Sequence, residues 1–105
     1  MTLPKMTSYD DLASFRLEIP EYYNFGFDVI EKRAKENDKT AYIAVDNAGE
    51  NISYHTFSDL NDRSNQFANV LQDMGIGKGD LAFVMIPRIP AWYEVMVGCC
   101  KLGTI

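Results

Sequence analysis

The clearest hydrophobic pattern in the chain lies between Thr56 and Gly75. Apolar or small residues recur there every three or four positions and so share one helix face; they are Phe57, Leu60, Ser64, Phe67, Leu71 and Met74. Thr56 followed by Asp59 is an N-terminal capping signal, and Gly75 suits the left-handed residue that ends a helix. The pattern predicts an amphipathic helix from Thr56 to Met74 that buries Phe67 and Leu71.

Two further elements are predicted before this helix. The segment "NFGFDVIEKRAKENDKT" has Phe27, Ile30 and Ala34 at helical spacing, with acidic residues early and basic residues late. "TAYIAV" and "NISY" are β-prone runs that flank the turn-rich stretch "DNAGE". This arrangement predicts a helix followed by a β-hairpin whose tip faces solvent.

A strand and a helix are predicted after Gly75. The turn "GIGKGD" leads into "LAFVMI", where Leu81 to Ile86 contains no polar residue. Such a run is typical of an internal strand that is covered on both faces in a parallel sheet. The nearly apolar run Ala91 to Leu102 predicts a helix. We therefore expect an α/β fold in which this helix and the Thr56 helix pack against the sheet.

The first 21 residues are weakly patterned and carry Pro4 and Pro20 as helix breakers. They predict an extended arm, residues 1–21, with a short helix around Asp10 to Leu17. "MTLPKMTSYDDLASF" lacks the charged segment and apolar core of a secretory signal. A cytoplasmic location is the resulting expectation.

Composition narrows the class of protein. A length of 105 residues allows at most one core, and 47% hydrophobic with 24% charged residues is typical of a globular chain. The net charge is −5 and the basic residues are scattered, so no nucleic-acid footprint is formed. No apolar run reaches the ~20 residues of a membrane span.

A Gly-rich turn and a histidine are the first candidates for chemistry. Gly75, Gly77 and Gly79 stand beside Lys78, but nucleotide loops run from strand into helix and this turn runs from helix into strand. A phosphate cradle is therefore disfavoured. His55 is the sole histidine and has no nearby Cys or His, so a solvated junction residue is favoured over a ligand or base.

Acidic and cysteine pairs also have structural interpretations. Asp10 with Asp11, and Asp59 with Asp62, suit helix starts and surface positions. Cys99 and Cys100 are adjacent, and helix neighbours point about 100° apart, which suits neither an ordinary disulfide nor a four-ligand metal site. We interpret both cysteines as small core-facing residues, and Trp92 and Tyr93 as core or interface aromatics.

Arg88 lies just after the predicted strand, where open α/β sheets place their ligand crevices. Its position between Pro87 and Pro90 also fits a structural residue that bonds carbonyls or pairs with a carboxylate. The structural role is favoured by the sequence, and the ligand role stays open.

Three blocks of the chain resemble the AMP-forming acyl-CoA synthetases of the acyl-adenylate-forming superfamily. They are "YYNFGFDVIEKRAKEN", "SYHTFSDLNDRSNQFANVLQDMGIGKGD" and "VMIPRIPAWYEVMVGCCKLGTI". The last block is similar to the medium-chain fatty acyl branch, where Pro-Arg followed by Pro and an aromatic is typical. The resemblance covers Tyr22 to Ile105.

The resemblance implies that residues 22–105 begin the large N-terminal domain of a longer enzyme, as a hairpin and helices packed on a mostly parallel sheet. That enzyme would use ATP, a fatty acid, CoA and Mg²⁺ and would form acyl-AMP. The phosphate-gripping loop, the adenylate motifs and the lysine-bearing C-terminal domain of the family are absent from this sequence. No catalytic, cofactor-binding or metal-binding residue is therefore carried over, and the chain alone is expected to be inactive.

Alternative functions stay open at this point. The same fold would serve an adenylating ligase for acetate, an aryl acid or an amino acid, because the acid pocket lies outside the matched blocks. A stand-alone interaction module is a second alternative, although the apolar helix from Ala91 to Leu102 would need cover on most of its surface. Homo-oligomer formation is also left open.

Overall fold

Helices and one β-hairpin make up the computed structural model, which describes residues 5–105. The elements in chain order are α1 (Asp10–Ser14), a π-helical segment (Gly26–Glu31) that continues into α2 (Lys32–Glu36), β1 (Thr40–Val45), β2 (Ile52–Thr56), α3 (Phe57–Asp73) and α4 (Ala91–Leu102). The expected α/β class is confirmed. The part of the arm before Lys5 lies outside the described residues.

The predicted hairpin is confirmed. Strands β1 and β2 pair antiparallel from Val45 opposite Ile52 to Thr40 opposite Thr56, with an irregularity near the Thr40 end. The Asp46 carboxylate stabilises the exposed turn by accepting a 2.9 Å hydrogen bond from the Glu50 amide. Gly49 has a φ of 75°, which glycine adopts without a Cβ penalty.

Helix α3 follows β2 directly and begins with the predicted cap. The Asp59 amide donates to Thr56 Oγ1 at 3.1 Å, and the Thr56 amide donates to the Asp59 carboxylate at 2.9 Å. Gly75 ends the helix with a φ of 82°. The buried face consists of Leu60, Ser64, Ala68 and Leu71.

Two residues of the predicted α3 stripe are placed differently. Leu71 is buried as expected, but Phe67 is only half-buried and Met74 is 69% exposed. The last helical residue is Asp73, and the chain turns at Gly75, so Met74 points away from the buried face. The predicted burial of Leu71 is therefore confirmed, that of Phe67 is met only in part, and Met74 lies outside the buried face.

The small core joins three helical segments. Ile30 from the π-helical segment, Leu60 from α3 and Val97 from α4 are buried together. Partly buried side chains surround them: Val29, Ala41, Tyr42 and Phe57.

The first predicted helix is present at the expected position, but it is not a regular α-helix throughout. Its first turns form the π-helical segment, in which hydrogen bonds span five residues instead of four. This spacing changes which residues share a face, so Val29 and Ile30 point inward while Phe27 is exposed. Phe27 therefore does not share the buried face with Ile30, although the sequence spaces the two residues as on one helix face.

Helices α3 and α4 cross at very close range. Ser64 of α3 is fully buried, and its Oγ donates to the Asn61 carbonyl at 2.9 Å. A Cβ at Gly98 of α4 would lie 2.9 Å from both the Ser64 carbonyl oxygen and the Phe67 ring. Only glycine permits this approach, so the crossing depends on the small residues at these two positions.

The segment Leu81 to Ile86 is extended but is not the covered internal strand that the sequence predicts. Phe83 and Met85 are fully exposed on one face, and no strand is assigned over residues 81–86. A parallel strand becomes buried only when neighbouring strands and covering helices are present. Within residues 5–105, α3 and α4 pack against each other and do not cover this segment, so the predicted burial is wrong for this chain.

One parallel pairing nevertheless occurs along this segment. The Ile105 amide donates to the Asp80 carbonyl at 2.8 Å, and the Ala82 amide donates to the Ile105 carbonyl at 2.8 Å. This alternation around Leu81 is the hydrogen-bond pattern of parallel neighbours. Helix α4 therefore returns the chain so that Ile105 lies parallel to the start of the Leu81 segment.

Among the helices of residues 5–105, none is long and apolar enough to span a membrane. Of the described part of the arm, residues 5–21, only α1 is helical, and it ends at Ser14 where the sequence predicts Leu17. Residues 5–21 carry exposed apolar side chains, which include Leu12, Leu17 and Ile19.

Candidate functional site

A groove with a volume of about 590 Å³ lies between β1 and the segment that joins the Leu81 strand to α4. Its lining includes Tyr42 and Val45 from β1, with Ile86, Arg88, Trp92 and Tyr93 from the opposite side. Arg88 is the only charged residue of the lining and is exposed to solvent. The structure thus places Arg88 at the end of an extended segment, as the sequence predicts. It also places Arg88 beside the hairpin, which the sequence does not predict.

Aromatic rings form a continuous stack at one side of this groove. The Tyr42 and His55 rings are parallel within 8° with centroids 4.6 Å apart, and Tyr42 and Tyr93 are 4.9 Å apart. Trp92 meets Tyr93 edge to face at 5.4 Å. Burial, followed by the charge of Glu94, raises the pKa of Tyr42, so its hydroxyl stays protonated at neutral pH.

His55 is packed in this stack and is not a solvated junction residue. It is half-buried, and its Nε2 lies 3.0 Å from Ser53 Oγ. Residues 5–105 contain no group of three or more His, Cys, Asp or Glu side chains that would hold a metal ion. The ring of His55 therefore contributes stacking and one polar contact.

Trp92 and Tyr93, which the sequence predicts to be core or interface aromatics, are not in the core and line the groove. Trp92 is 40% exposed and Tyr93 is 49% exposed. Both side chains are thus partly exposed in the groove, and the Tyr93 ring contacts those of Tyr42 and Trp92.

The Gly-rich turn uses its own amides. The Asp80 carboxylate accepts a 2.8 Å hydrogen bond from the Gly77 amide, and the Gly79 amide donates to the Gly103 carbonyl at 2.9 Å. The Gly75 amide donates to Gln72. The amides of the three glycines are thus engaged by the turn and its neighbours, which agrees with the prediction that disfavours a phosphate cradle.

One member of each acidic pair stabilises the start of a helix, as the sequence predicts. Asp11 accepts hydrogen bonds from the Thr7 and Ser8 amides at 2.8 and 2.9 Å, and the bond from Thr7 is the main reason why the pKa of Asp11 is lowered. Asp59 completes the cap of α3. Asp10 and Asp62 are exposed surface residues.

The cysteines differ from each other. Cys99 is half-buried, and burial raises the pKa of its thiol. Cys100 is exposed, so its predicted core-facing position is wrong. Consecutive residues of one helix face different directions, and only Cys99 turns toward the interior. The Cys100 carbonyl accepts a 2.7 Å hydrogen bond from Asn24 Nδ2.

Lys101 was missed by the sequence interpretation, which treated it only as a charge that interrupts α4. It is 8% exposed, and its Nζ donates to Asn61 Oδ1 at 2.8 Å and to Asn65 Oδ1 at 2.6 Å. The ammonium also lies 5.7 Å from the centroid of the Phe27 ring. Loss of solvent lowers the pKa of Lys101, and the charges of Glu31 and Asp62 partly oppose this effect.

The sequence contains a feature that is compatible with this contact of Lys101 but does not identify it. Asn61 and Asn65 are four positions apart and therefore share a face of α3. Exposed asparagines at this spacing are common, however, and nothing local to α3 identifies a lysine forty residues further on as their partner.

Residues 30–105 match the family model described as "AMP-binding enzyme". This is well over half of the chain, and the chain belongs to this family of AMP-binding enzymes.

Relatives within the family carry the name acyl-coenzyme A synthetase. "Acyl-coenzyme A synthetase ACSM3, mitochondrial" of Rattus norvegicus is 36% identical over 107 residues, which cover 94% of this chain and 18% of that protein. "Acyl-coenzyme A synthetase ACSM2B, mitochondrial" of Homo sapiens is 35% identical over 95 residues, covering 84% of this chain and 16% of that protein. The predicted family is confirmed.

Solved structures agree with the family. The Brucella canis acyl-CoA synthetase superposes with a TM-score of 0.81 and 25% identity over 95% of this chain and 20% of that chain. A fatty acyl-adenylate ligase from L. pneumophila shares the fold, with a TM-score of 0.64 over 76% of this chain and 14% of that chain. The chain thus spans about a fifth of the length of the curated relatives that it matches.

Proposed function

We propose that the protein containing this chain is an AMP-forming acyl-CoA synthetase. In the first step a carboxylate oxygen attacks the α-phosphorus of ATP and pyrophosphate leaves, which gives acyl-AMP. In the second step the CoA thiol attacks the acyl carbon, AMP leaves and the thiol proton is released. The observation that carries this proposal is a match over 94% of the chain, at 36% identity, to a protein named acyl-coenzyme A synthetase.

A medium-chain fatty acid is the substrate that we propose. The support is the block "PRIPAWYEVMVGCCKLG", which resembles the medium-chain branch of the family. Acetate, an aryl acid and an amino acid are the competing substrates in the test below. A stand-alone interaction module is not favoured, because the chain matches relatives that are about five times longer.

Within this enzyme we propose that residues 22–105 begin the N-terminal domain and that residues 1–21 form an arm before it. The chain would supply scaffold for the ATP chemistry: the hairpin, the α3–α4 pair and one parallel segment. In-line transfer from ATP requires oriented amides and cations around the phosphates. In the Gly-rich turn the amides of Gly75, Gly77 and Gly79 already donate to other groups of the chain.

ATP, CoA and Mg²⁺ are the proposed cofactors. Mg²⁺ would neutralise phosphate charge during attack on ATP. Residues 5–105 contain no cluster of three acidic, histidine or cysteine side chains, and no magnesium ligand is assigned among them. The cytoplasmic location and homo-oligomer formation stay predictions; the relatives compared above are named as mitochondrial.

The test is pyrophosphate release by the full-length protein that contains this chain. With ATP, Mg²⁺ and octanoate we expect pyrophosphate and acyl-AMP, and addition of CoA should yield octanoyl-CoA and AMP. Acetate, benzoate and single amino acids serve as comparison acids. Residues 1–105 alone should show no turnover. The proposal is wrong if the full-length protein releases no pyrophosphate with any of these acids.

A further inference from the structure

The segment of residues 24–31, which we call the strap, joins the N-terminal arm to α2 and lies against α4. Asn24 Nδ2 donates to the Cys100 carbonyl at 2.7 Å and to the Lys101 carbonyl at 3.3 Å. Both carbonyls lie in the last turn of α4, where a helix has no partners of its own for its carbonyl groups. The strap therefore caps the end of α4 from a position 76 residues earlier in the chain.

The strap also covers the side chain of Lys101. A Cβ at Gly26 would overlap Lys101 Cγ and lie 3.3 Å from Lys101 Cε, so only glycine fits against this side chain. On the opposite side, the ammonium donates to Asn61 and Asn65 of α3. Lys101 is thus enclosed between the strap and α3 by contacts within the chain itself, and its burial depends on the strap being in place.

The backbone geometry of the strap differs from the one that its residue pattern favours. Gly26–Glu31 is π-helical, a rare form that occurs mostly as a single turn within an α-helix. The spacing of Phe27, Ile30 and Ala34 is that of a regular α-helix. The residue pattern and the contacts with α4 therefore favour two different helical registers for the same residues.

The two ends of the strap are held differently. On the N-terminal side, within residues 5–105, the backbone of residues 16–23 makes no hydrogen bond with the backbone of another residue. On the C-terminal side, Ile30 is buried in the core with Leu60 and Val97. The position of the first turn of the strap therefore depends on the contacts of Asn24 and Gly26 with α4.

We propose that the strap is a latch with two positions. In the docked position the π-helical turn brings Asn24 to the end of α4 and Gly26 over Lys101. In the released position residues 24–31 form a regular α-helix that pivots about Ile30. Release removes the cap that Asn24 supplies to α4 and exposes the Lys101 ammonium to water.

The latch couples two parts of the fold that are distant in sequence. The Gly103 carbonyl, just after α4, accepts a 2.9 Å hydrogen bond from the Gly79 amide, and the Ile105 amide donates to the Asp80 carbonyl at 2.8 Å. Both bonds follow directly on the end of α4 that Asn24 caps. Release of the strap therefore loosens the last turn of α4 and the start of the parallel pairing. This inference goes beyond the proposed function and does not depend on it.

The experiment is hydrogen exchange in the full-length protein, read by mass spectrometry over residues 22–36 and 99–105. Gly26→Ala places a Cβ on Lys101 Cγ, and Asn24→Ala removes the cap of α4. Exchange in both stretches should rise about 5- to 100-fold in Gly26→Ala and about 2- to 10-fold in Asn24→Ala.

Gly77→Ala and Asn47→Ala are the matched controls. A Cβ at Gly77 has no heavy atom within 4 Å, and Asn47 is exposed in the hairpin turn. Exchange in both control variants should stay within about twofold of wild type.

Amine labelling of Lys101 separates release of the strap from general loss of structure. An acetylating reagent should modify Lys101 faster in both strap variants, by the same factor as exchange rises, while exchange in the hairpin, residues 40–56, stays at the wild-type rate. A crystal structure of Gly26→Ala should show a regular α-helix over residues 26–31. The proposal is overturned if the strap variants exchange like the controls, if the hairpin exchanges faster by the same factor in both of them, or if residues 26–31 stay π-helical in Gly26→Ala.

Discussion

At the scale of single residues, Lys101 is the most unusual group in the structure. Its ammonium is buried between α4 and α3 and is held by the oxygens of Asn61 and Asn65, both of which are uncharged. Within residues 5–105 no carboxylate lies within 4.0 Å of it. A buried cation with neutral partners keeps the cost of lost hydration, and this cost lowers the pKa of Lys101.

The lowered pKa predicts a pH dependence of stability. Between the folded-state pKa of Lys101 and the ordinary lysine value of about 10.4, the unfolded chain binds more protons than the folded chain. The free energy of unfolding of wild type should therefore rise with pH in this alkaline window, relative to Lys101→Met, in which the titrating group is absent.

The measurement is urea unfolding of wild type and Lys101→Met between pH 7 and 10.5. Lys78→Met is the matched control, because Lys78 is exposed and its removal should leave the pH profile parallel to that of wild type. A difference between wild type and Lys101→Met that stays constant, or that falls with pH, would contradict the burial argument.

At the scale of elements, the contact between α3 and α4 depends on the absence of a side chain at Gly98. An alanine Cβ would lie 2.9 Å from the Ser64 carbonyl oxygen, a backbone atom that cannot rotate away. We expect Gly98→Ala to destabilise the protein by about 1–3 kcal/mol, because the helices must separate, and this exceeds the gain in helix propensity.

Thermal or urea unfolding measures this loss. Gly77→Ala is the control, since an added Cβ at Gly77 has no heavy atom within 4 Å and Gly77 does not have a positive φ. Equal stability of the two variants would show that α3 and α4 adjust without cost at this crossing.

The elements that the sequence predicts best are those with local signals. Thr56 and Asp59 mark the start of α3 within one turn, and the turn at Asp46 identifies the hairpin. The bounds of α4 agree with the predicted Ala91 to Leu102. Each of these signals involves residues that are near in sequence, so no partner element is needed to interpret it.

The predictions that failed concern residues whose contacts lie far away in sequence, or a backbone geometry, such as the π-helical segment, that no residue pattern indicates. An apolar run such as Leu81 to Ile86 predicts burial only if strands and helices are present to cover it. Lys101 requires knowledge that Asn61 and Asn65 face α4. For the candidate site, the sequence predicts that Arg88 follows a strand. It does not predict that β1 lies opposite Arg88, because that depends on how the hairpin packs against α4.

At the scale of the whole molecule, the Leu81 segment leaves an apolar edge uncovered. Phe83 and Met85 are fully exposed on one face, and the backbone beyond Ala82 pairs with no strand in residues 5–105. An exposed apolar edge strand is a template for pairing with another chain. We expect the 105-residue polypeptide to self-associate through this edge.

Replacing Phe83 and Met85 by serine should weaken this self-association about tenfold or more in sedimentation velocity experiments. Met74→Ser is the matched control, because Met74 is also an exposed methionine but lies at the end of α3, away from the edge. If the control weakens self-association as much as the double variant, or neither weakens it, the edge is not the contact.

The hydrogen bond from Asn24 to the Cys100 carbonyl has a consequence for the order of assembly. Its partners are 76 positions apart, so Asn24 must wait for α4 to be synthesised. At 5–20 residues per second, this interval is about 4 to 15 s. The hairpin and α3 contain only nearby contacts and form within microseconds once their residues are available. During synthesis the contact of Asn24 with α4 is therefore completed after the hairpin and α3 can form, although Asn24 leaves the ribosome before all of them.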